Sequence, residues 1–128
     1  YTMSPLTLLA FLSLLSVSLS SLTVHVKIIS GSNIKRNDPF NGQSDPKVVM
    51  YTEFKTLCET KKVDNTQTPV WNHDCTPKTI KSGDKLFFAL EDVDAVVNDE
   101  LGISSITLPK DTDVDPSKWG STSIFLPK

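Results

Sequence analysis

The sequence predicts an all-β domain, a two-sheet antiparallel sandwich built from short strands. Segments of four to eight residues alternate apolar and polar side chains with period two, beginning with LTVHVKII at residues 22–29. Turn-forming residues separate these segments at short intervals, and no segment carries a helical period. The eight prolines and the frequent Val, Ile, Thr and Phe also favour strands joined by turns.

The predicted strands follow one another after a turn-rich stretch at residues 30–45, where no regular element is expected. Beyond residues 22–29 they cover residues 47–54, 57–63, 70–75, 86–90, 102–108 and 121–126, which makes seven or eight strands. Packing two such sheets face to face is the economical way to bury their apolar faces. Trp71 is interpreted as a core or turn-packing residue, and His25 falls on the polar face of the first strand.

Length and composition fit one soluble domain rather than two: 128 residues, 38% apolar, 22% charged, with a net charge of −2. A pI of about 5.6 argues against nucleic acid as the partner. No catalytic constellation is visible, because Ser44 beside Asp45 lacks a base and His73 lacks a nucleophile. Paired carboxylates could serve glycoside hydrolysis, but such enzymes need a larger sugar cleft. The sequence therefore predicts a binding protein and no enzyme.

Residues 1–20 are interpreted as a secretory signal peptide, because an apolar run from Leu6 to Leu15 is followed by small residues. Cleavage near Ser20 would leave a domain at residues 21–128 in a secreted protein. The alternative is an uncleaved anchor, since residues 5–24 approach the roughly 20 residues that a membrane helix needs. Serines dilute that run, which favours removal.

The two cysteines, Cys58 and Cys75, are the expected disulfide partners in a secreted chain. The bond would close a loop of about 17 residues and stabilise the fold by about 3 kcal/mol in the chain-entropy model. A structural zinc site is not expected, because these cysteines with His25 and His73 lack paired ligand spacing.

An acidic loop follows the strand at residues 86–90 and brings Asp92, Asp94 and Asp99 close together in the sequence. Carboxylates this close repel one another unless a cation lies between them, and calcium takes six to eight oxygen ligands of this kind. A solvated acidic loop is the alternative. The loop tip at residues 95–97 is apolar, however, which a merely solubilising loop would not require.

Three motifs together resemble the C2 domain family. DPFNGQSDP at residues 38–46 is similar to its first calcium loop, TPVWN at residues 68–72 to a turn of the family, and Asp92-x-Asp94 with Asp99 and Gly102 to its third loop. The resemblance covers residues 22–108. It implies an eight-stranded antiparallel β-sandwich with calcium loops at one end, and calcium-dependent binding to phospholipid headgroups. The chain could be similar to the C2 domain of perforin-like proteins, here on its own.

The resemblance also implies a set of site residues. The implied calcium ligands are Asp38, Asp45, Asp92, Asp94 and Asp99. The first loop is one residue longer and the third one residue shorter than the common spacing, so Asp45, Asp92 and Asp94 match the motif best. The apolar tips Phe40, Val96 and Val97 are the expected membrane contacts, and Lys55, Lys61 and Lys62 could form a basic face.

Two functions of different class follow from these residues. The first is a secreted, monomeric module that binds an anionic phospholipid surface through calcium. The second is a calcium-stabilised or calcium-independent domain that binds a protein partner without lipid. The apolar loop tips favour the first function, and the two off-length loops favour the second.

Overall fold

The computed structural model describes residues 6–17, 21–34, 44–94, 97–110 and 121–126. Within these residues the chain forms nine strands and no helix. They are β1 (Leu6–Val17), β2 (Ser21–Ser32), β3 (Pro46–Tyr51), β4 (Thr56–Glu59), β5 (Val70–Asp74), β6 (Lys78–Lys81), β7 (Lys85–Asp92), β8 (Asp99–Thr107) and β9 (Ser121–Leu126). Consistent with this, no described helix has the length and hydropathy that a membrane crossing requires.

The strands form two antiparallel sheets. One has the order β5-β2-β1-β9, with β6 also pairing with β2, and the other has the order β4-β3-β7-β8. The predicted all-β antiparallel sandwich is therefore confirmed. Sequence reasoning missed β6, a four-residue strand, and placed the end of β4 four residues too late.

The core lies between the two sheets and follows the period-two pattern. In β2 the side chains of Leu22, Val24, Val26 and Ile28 are all buried, as their alternation predicts. The other sheet contributes the buried residues Val48, Met50, Leu86, Phe88 and Leu90. Because strand side chains alternate between faces, the remaining positions of β2 face outward and tolerate polar residues.

Strand β1 departs from the sequence interpretation. Residues 6–17 pair with β2, from Thr7 opposite Ser32 to Val17 opposite Leu22, and with β9 on the other side. Leu8, Ala10 and Leu12 are 1%, 1% and 2% exposed, so they belong to the core. An apolar run of this length suits a leader, but it equally suits a strand flanked by neighbours on both sides. The domain thus includes a strand before residue 21, and removal of residues 1–20 stays a prediction.

The register of the second sheet defines two ends of the sandwich. Pro46 lies opposite Asp92 and Tyr51 opposite Phe87, while Asp92 on its other side lies opposite Asp99. The start of β3, the end of β7 and the start of β8 therefore meet at one end, which we call the loop end. The turn at residues 52–55 between β3 and β4 lies at the far end.

A disulfide joins the two sheets at one side. Cys58 belongs to β4 in one sheet, and Cys75 directly follows β5 in the other. Their sulfur atoms are 2.03 Å apart and their Cα atoms 6.0 Å apart. This is the pair that the sequence predicts, and it fixes β4, the short edge strand, to the opposite sheet.

Candidate metal centre

Asp92 is the buried anchor of the loop end. It is the last residue of β7, flanked by β3 and β8, and only 4% of its surface is exposed. Its Oδ1 accepts a hydrogen bond from the backbone N–H of Asp45, with 2.8 Å between the two atoms. A buried carboxylate is costly unless it is paired or bonded, and this single donor leaves acceptor capacity for a cation.

Three carboxylates converge at this point. One oxygen from each of Asp92, Asp94 and Asp99 lies within 4.8 Å of the other two. The β7–β8 register places Asp99 opposite Asp92, whereas Asp94 belongs to the loop between these strands. Calcium binds oxygens at 2.3–2.6 Å, so two oxygens on one ion are at most about 5 Å apart. The three residues therefore fit one calcium ion without a change in the strands.

The loop that carries Asp94 is folded back on β7. The N–H of Asp94 donates to Oδ1 of Asn98 at 3.3 Å, and Nδ2 of Asn98 donates to Oε1 of Glu91 at 3.3 Å. Asn98 thus ties both sides of the loop together, a role that sequence reasoning did not assign. Asn before an acidic residue in a tight loop is the signal that could have indicated it, since its side chain readily bonds nearby backbone.

Asp45 lies beside the three converging carboxylates, but its own carboxylate contacts Asn65 and Lys62. Its Oδ1 accepts from the N–H of Asn65 at 2.6 Å, and its Oδ2 lies 3.8 Å from Nζ of Lys62. Its carbonyl accepts from the N–H of Val93 at 3.0 Å. Asp45 is therefore not one of the three converging carboxylates, and its role as a ligand stays a prediction.

Lys62 forms ion pairs with Asp45 and Asp64. Its Nζ lies 2.6 Å from Oδ1 of Asp64, and this hydrogen bond, helped by the charges of Asp64 and Asp45, raises the pKa of Lys62. Lys62 therefore stays protonated beside the site at neutral pH. Lys55, in contrast, belongs to the far-end turn, so the length of β4 separates it from Lys61 and Lys62.

The other predicted site residues divide into two groups. Asp38, Phe40 and Val96 lie outside the residues that the structure describes. Val97 is described, and 67% of its surface is exposed at the loop end. A single exposed valine is common on protein surfaces; this one lies two residues before Asp99, and its role as a membrane contact stays a prediction.

Trp71 stabilises the start of β3 at the loop end. Its indole N–H donates to the carbonyl of Pro46 at 3.1 Å, and its ring packs so close to Gly31 that an added Cβ there would lie 3.2 Å from Trp71 Cη2. The ring is half-buried against the core. Trp71 thus packs a turn, as the sequence indicates, and it fixes the strand that starts one residue after Asp45.

The comparison with known families settles the identity of this fold. A family model described as "C2 domain" matches residues 22–122, most of the chain. The chain belongs to the C2 domain family. It is also 35% identical over 85 residues to Tricalbin-3 of Saccharomyces cerevisiae, a match that covers 65% of this chain and 5% of that protein. The chain thus spans only a small part of this curated relative.

Solved structures show the same fold at low sequence identity. A C2 domain of RIM from Drosophila has a TM-score of 0.67 at 17% identity, covering 96% of this chain and 98% of that one. A C2 domain of RIM2 has a TM-score of 0.64 at 17% identity, covering 95% and 97%. A C2 domain of plant Extended Synaptotagmin 1 has a TM-score of 0.57 at 17% identity, covering 87% and 95%. All three are single C2 domains of similar extent.

Proposed function

We propose that this chain is a calcium-dependent membrane-binding module whose loop end binds calcium and an anionic phospholipid headgroup. The observation that carries the proposal is the convergence of the carboxylates of Asp92, Asp94 and Asp99 within 4.8 Å. Membership of the C2 domain family supports a binding role, and we propose no enzymatic activity for the domain.

The protein residues supply the anionic half of the site. Asp92 is held by two neighbouring strands and by the N–H of Asp45, which orient its carboxylate at the loop end. Asp94 and Asp99 are exposed, so they can accept an ion from solvent. Bound calcium would neutralise these carboxylates and offer its remaining coordination positions to lipid phosphate oxygens.

Val97 gives the loop end an apolar contact. When the loop approaches the headgroup layer, this valine can enter the acyl boundary, and burial of a side chain of this size contributes on the order of 1 kcal/mol or more. That contribution adds to the electrostatic attraction between the neutralised site and anionic lipid. We propose a monomer in solution, with an anionic membrane surface as the partner.

The disulfide supports a place for the protein outside the reducing cytosol. Disulfides such as the one between Cys58 and Cys75 persist in oxidising compartments. We therefore retain secretion as a proposal for the localisation. Residues 6–17, however, form strand β1 of the core. A signal peptide that included these residues would remove this strand on cleavage.

Liposome co-sedimentation tests the proposed function. We expect the protein to sediment with vesicles that contain phosphatidylserine in calcium, and to stay in the supernatant with a chelator. The double change Asp92→Asn and Asp94→Asn should abolish calcium-dependent sedimentation. Asp84→Asn is the matched control, because it removes the same kind of charge from the turn between β6 and β7. Calcium-dependent sedimentation of the double variant would refute the assignment of the site.

A protein-interaction domain is the second candidate. It is favoured by Asp45, whose carboxylate is bonded to Asn65 and close to Lys62 rather than directed at the other three. If the domain binds a protein partner instead of lipid, calcium raises its melting temperature or leaves it unchanged. The protein then does not sediment with vesicles of any composition. Liposome co-sedimentation, combined with thermal unfolding in the presence and absence of calcium, therefore distinguishes the two candidate functions.

A further inference from the structure

A histidine lies against the disulfide. One ring nitrogen of His73 and the sulfurs of Cys58 and Cys75 all lie within 4.8 Å of one another. His73 and Cys75 are two residues apart on an extended segment, so their side chains leave the backbone on the same side. Cys58 comes from β4 in the opposite sheet. The fold thus brings together three donor groups that the sequence holds in two separate segments.

We propose that reduction of this disulfide creates a zinc site in which Cys58, Cys75 and His73 are the ligands. Two thiolates and one imidazole form a donor set that suits Zn²⁺, and three protein ligands leave a fourth position for water. Zinc–sulfur bonds of about 2.3 Å in a tetrahedral site hold two sulfurs about 3.7 Å apart. The Cα atoms of the two cysteines are 6.0 Å apart, which lets both side chains reach one ion.

The reaction that opens the site is a thiol–disulfide exchange. A dithiol reductant gives two electrons and two protons to the Cys58–Cys75 bond and becomes a disulfide itself, which leaves two protein thiols. Binding of Zn²⁺ then displaces the two thiol protons into solvent, so that both sulfurs ligate as thiolates. A small-molecule disulfide reverses the exchange: it takes the two electrons from the two thiolates and two protons from solvent and becomes a dithiol, while the Cys58–Cys75 bond re-forms and the ion is released. The same three residues therefore alternate between a covalent cross-link and a metal cross-link between the sheets.

The surroundings give a zinc ion access to this place. A surface cavity of about 120 Å³ opens beside His73 and has Lys61, Lys62, Val63, Val70 and Trp71 as its other lining residues. The cavity therefore opens the His73 side of the cluster to solvent. Cys75 is 2% exposed, whereas Cys58 and His73 are half-buried. The ion would therefore bind at the edge of the hydrophobic core, close to solvent.

Lys61 and Lys62 line the cavity beside His73. Lys62 is ion-paired with Asp64 and lies close to Asp45, so much of its charge is compensated. Two thiolates then neutralise Zn²⁺. Ligand spacing along the chain does not indicate this cluster, because the three donor groups meet only when the strands pack together.

Metal titration of the reduced full-length chain tests the inference. The protein is reduced with a phosphine, titrated with Zn²⁺ in saturating calcium, and examined in parallel with Co²⁺ as a spectroscopic substitute. We expect one Zn²⁺ per reduced chain and none bound to the oxidised protein. Bound Co²⁺ should show sulfur-to-metal charge transfer, a signal that carboxylates cannot give.

The two histidines of the chain provide a matched pair of variants. His73→Ala should weaken Zn²⁺ binding by more than about tenfold, since loss of even an outer-shell partner costs roughly 10–100-fold. His25→Ala should leave binding unchanged, because His25 contacts Asp74, whose side chain lies on the exposed face of β5, opposite to that of His73. Equal Zn²⁺ affinity of these two variants, or no charge-transfer band in the reduced protein, would overturn the inference. If the reduced apoprotein is unfolded by circular dichroism, Zn²⁺ should refold it, and failure to refold would equally overturn the inference.

Discussion

The substitution Leu12→Ala tests whether β1 is an integral strand of the domain. Leu12 is 2% exposed, and it lies in a strand that pairs with β2 and β9. Truncation of a buried leucine removes apolar burial and leaves a cavity, which costs roughly 3 kcal/mol. For a domain of this size we expect the melting temperature to fall by on the order of 10 °C. Leu9→Ala, at a partly exposed position three residues earlier, should give a clearly smaller loss.

Urea unfolding of the full 128-residue chain, purified with its disulfide oxidised, measures this effect. The truncated chain 21–128 is the companion sample. It lacks Leu8, Ala10 and Leu12, and the loss of two buried leucines is large beside the roughly 5–15 kcal/mol that stabilises an ordinary domain. We expect the truncated chain to be unfolded or much less stable. Equal urea midpoints for the full and truncated chains would refute the reasoning and restore residues 1–20 as a removable leader.

Three further predictions concern the loop end and the cross-link. Val97→Asp should abolish calcium-dependent liposome sedimentation while calcium still raises the melting temperature, and Phe54→Asp, at an 82% exposed position at the far end, should leave sedimentation unchanged. Replacing both Cys58 and Cys75 by Ser should lower the free energy of unfolding by about 3 kcal/mol in urea titration; an unchanged midpoint would contradict the cross-link. Trp71→Phe removes the indole hydrogen bond and should cost about 1 kcal/mol by the same assay; no loss would mean that the bond contributes nothing.

Period-two patterning and turn residues were enough to predict the sandwich. Alternation identified β2 and β8, whose side chains face the core on one side only, whereas β7 was identified by its short apolar run and β3 by its β-forming residues between turns. They did not identify β1, because its apolar run obscures alternation. The pairing of β1 with β2 and β9 places this segment in the sheet, and this pairing cannot be inferred from the local sequence.

The site was predictable to the extent that its residues are near in sequence. Asp92 ends β7, Asp99 begins β8 and Asp94 lies in the short connection between them, so their convergence follows from one hairpin. The His73 cluster and the bond between Trp71 and the Pro46 carbonyl were not predictable, because both depend on contacts across the packed sandwich. Such contacts are set by register and layer packing, which local patterns do not determine.

Asp45 joins three segments at the loop end. Its N–H donates to Asp92, its carbonyl accepts from Val93, and its carboxylate accepts from the N–H of Asn65. To ligate a calcium ion as well, the Asp45 carboxylate would use a remaining lone pair or exchange its contact with Lys62 for the ion. Its backbone, in contrast, contributes to the site in either state, because the N–H that orients Asp92 is independent of the side chain. The structure thus separates a positioning role of Asp45, which belongs to its backbone, from the ligand role that the family motif implies for its carboxylate.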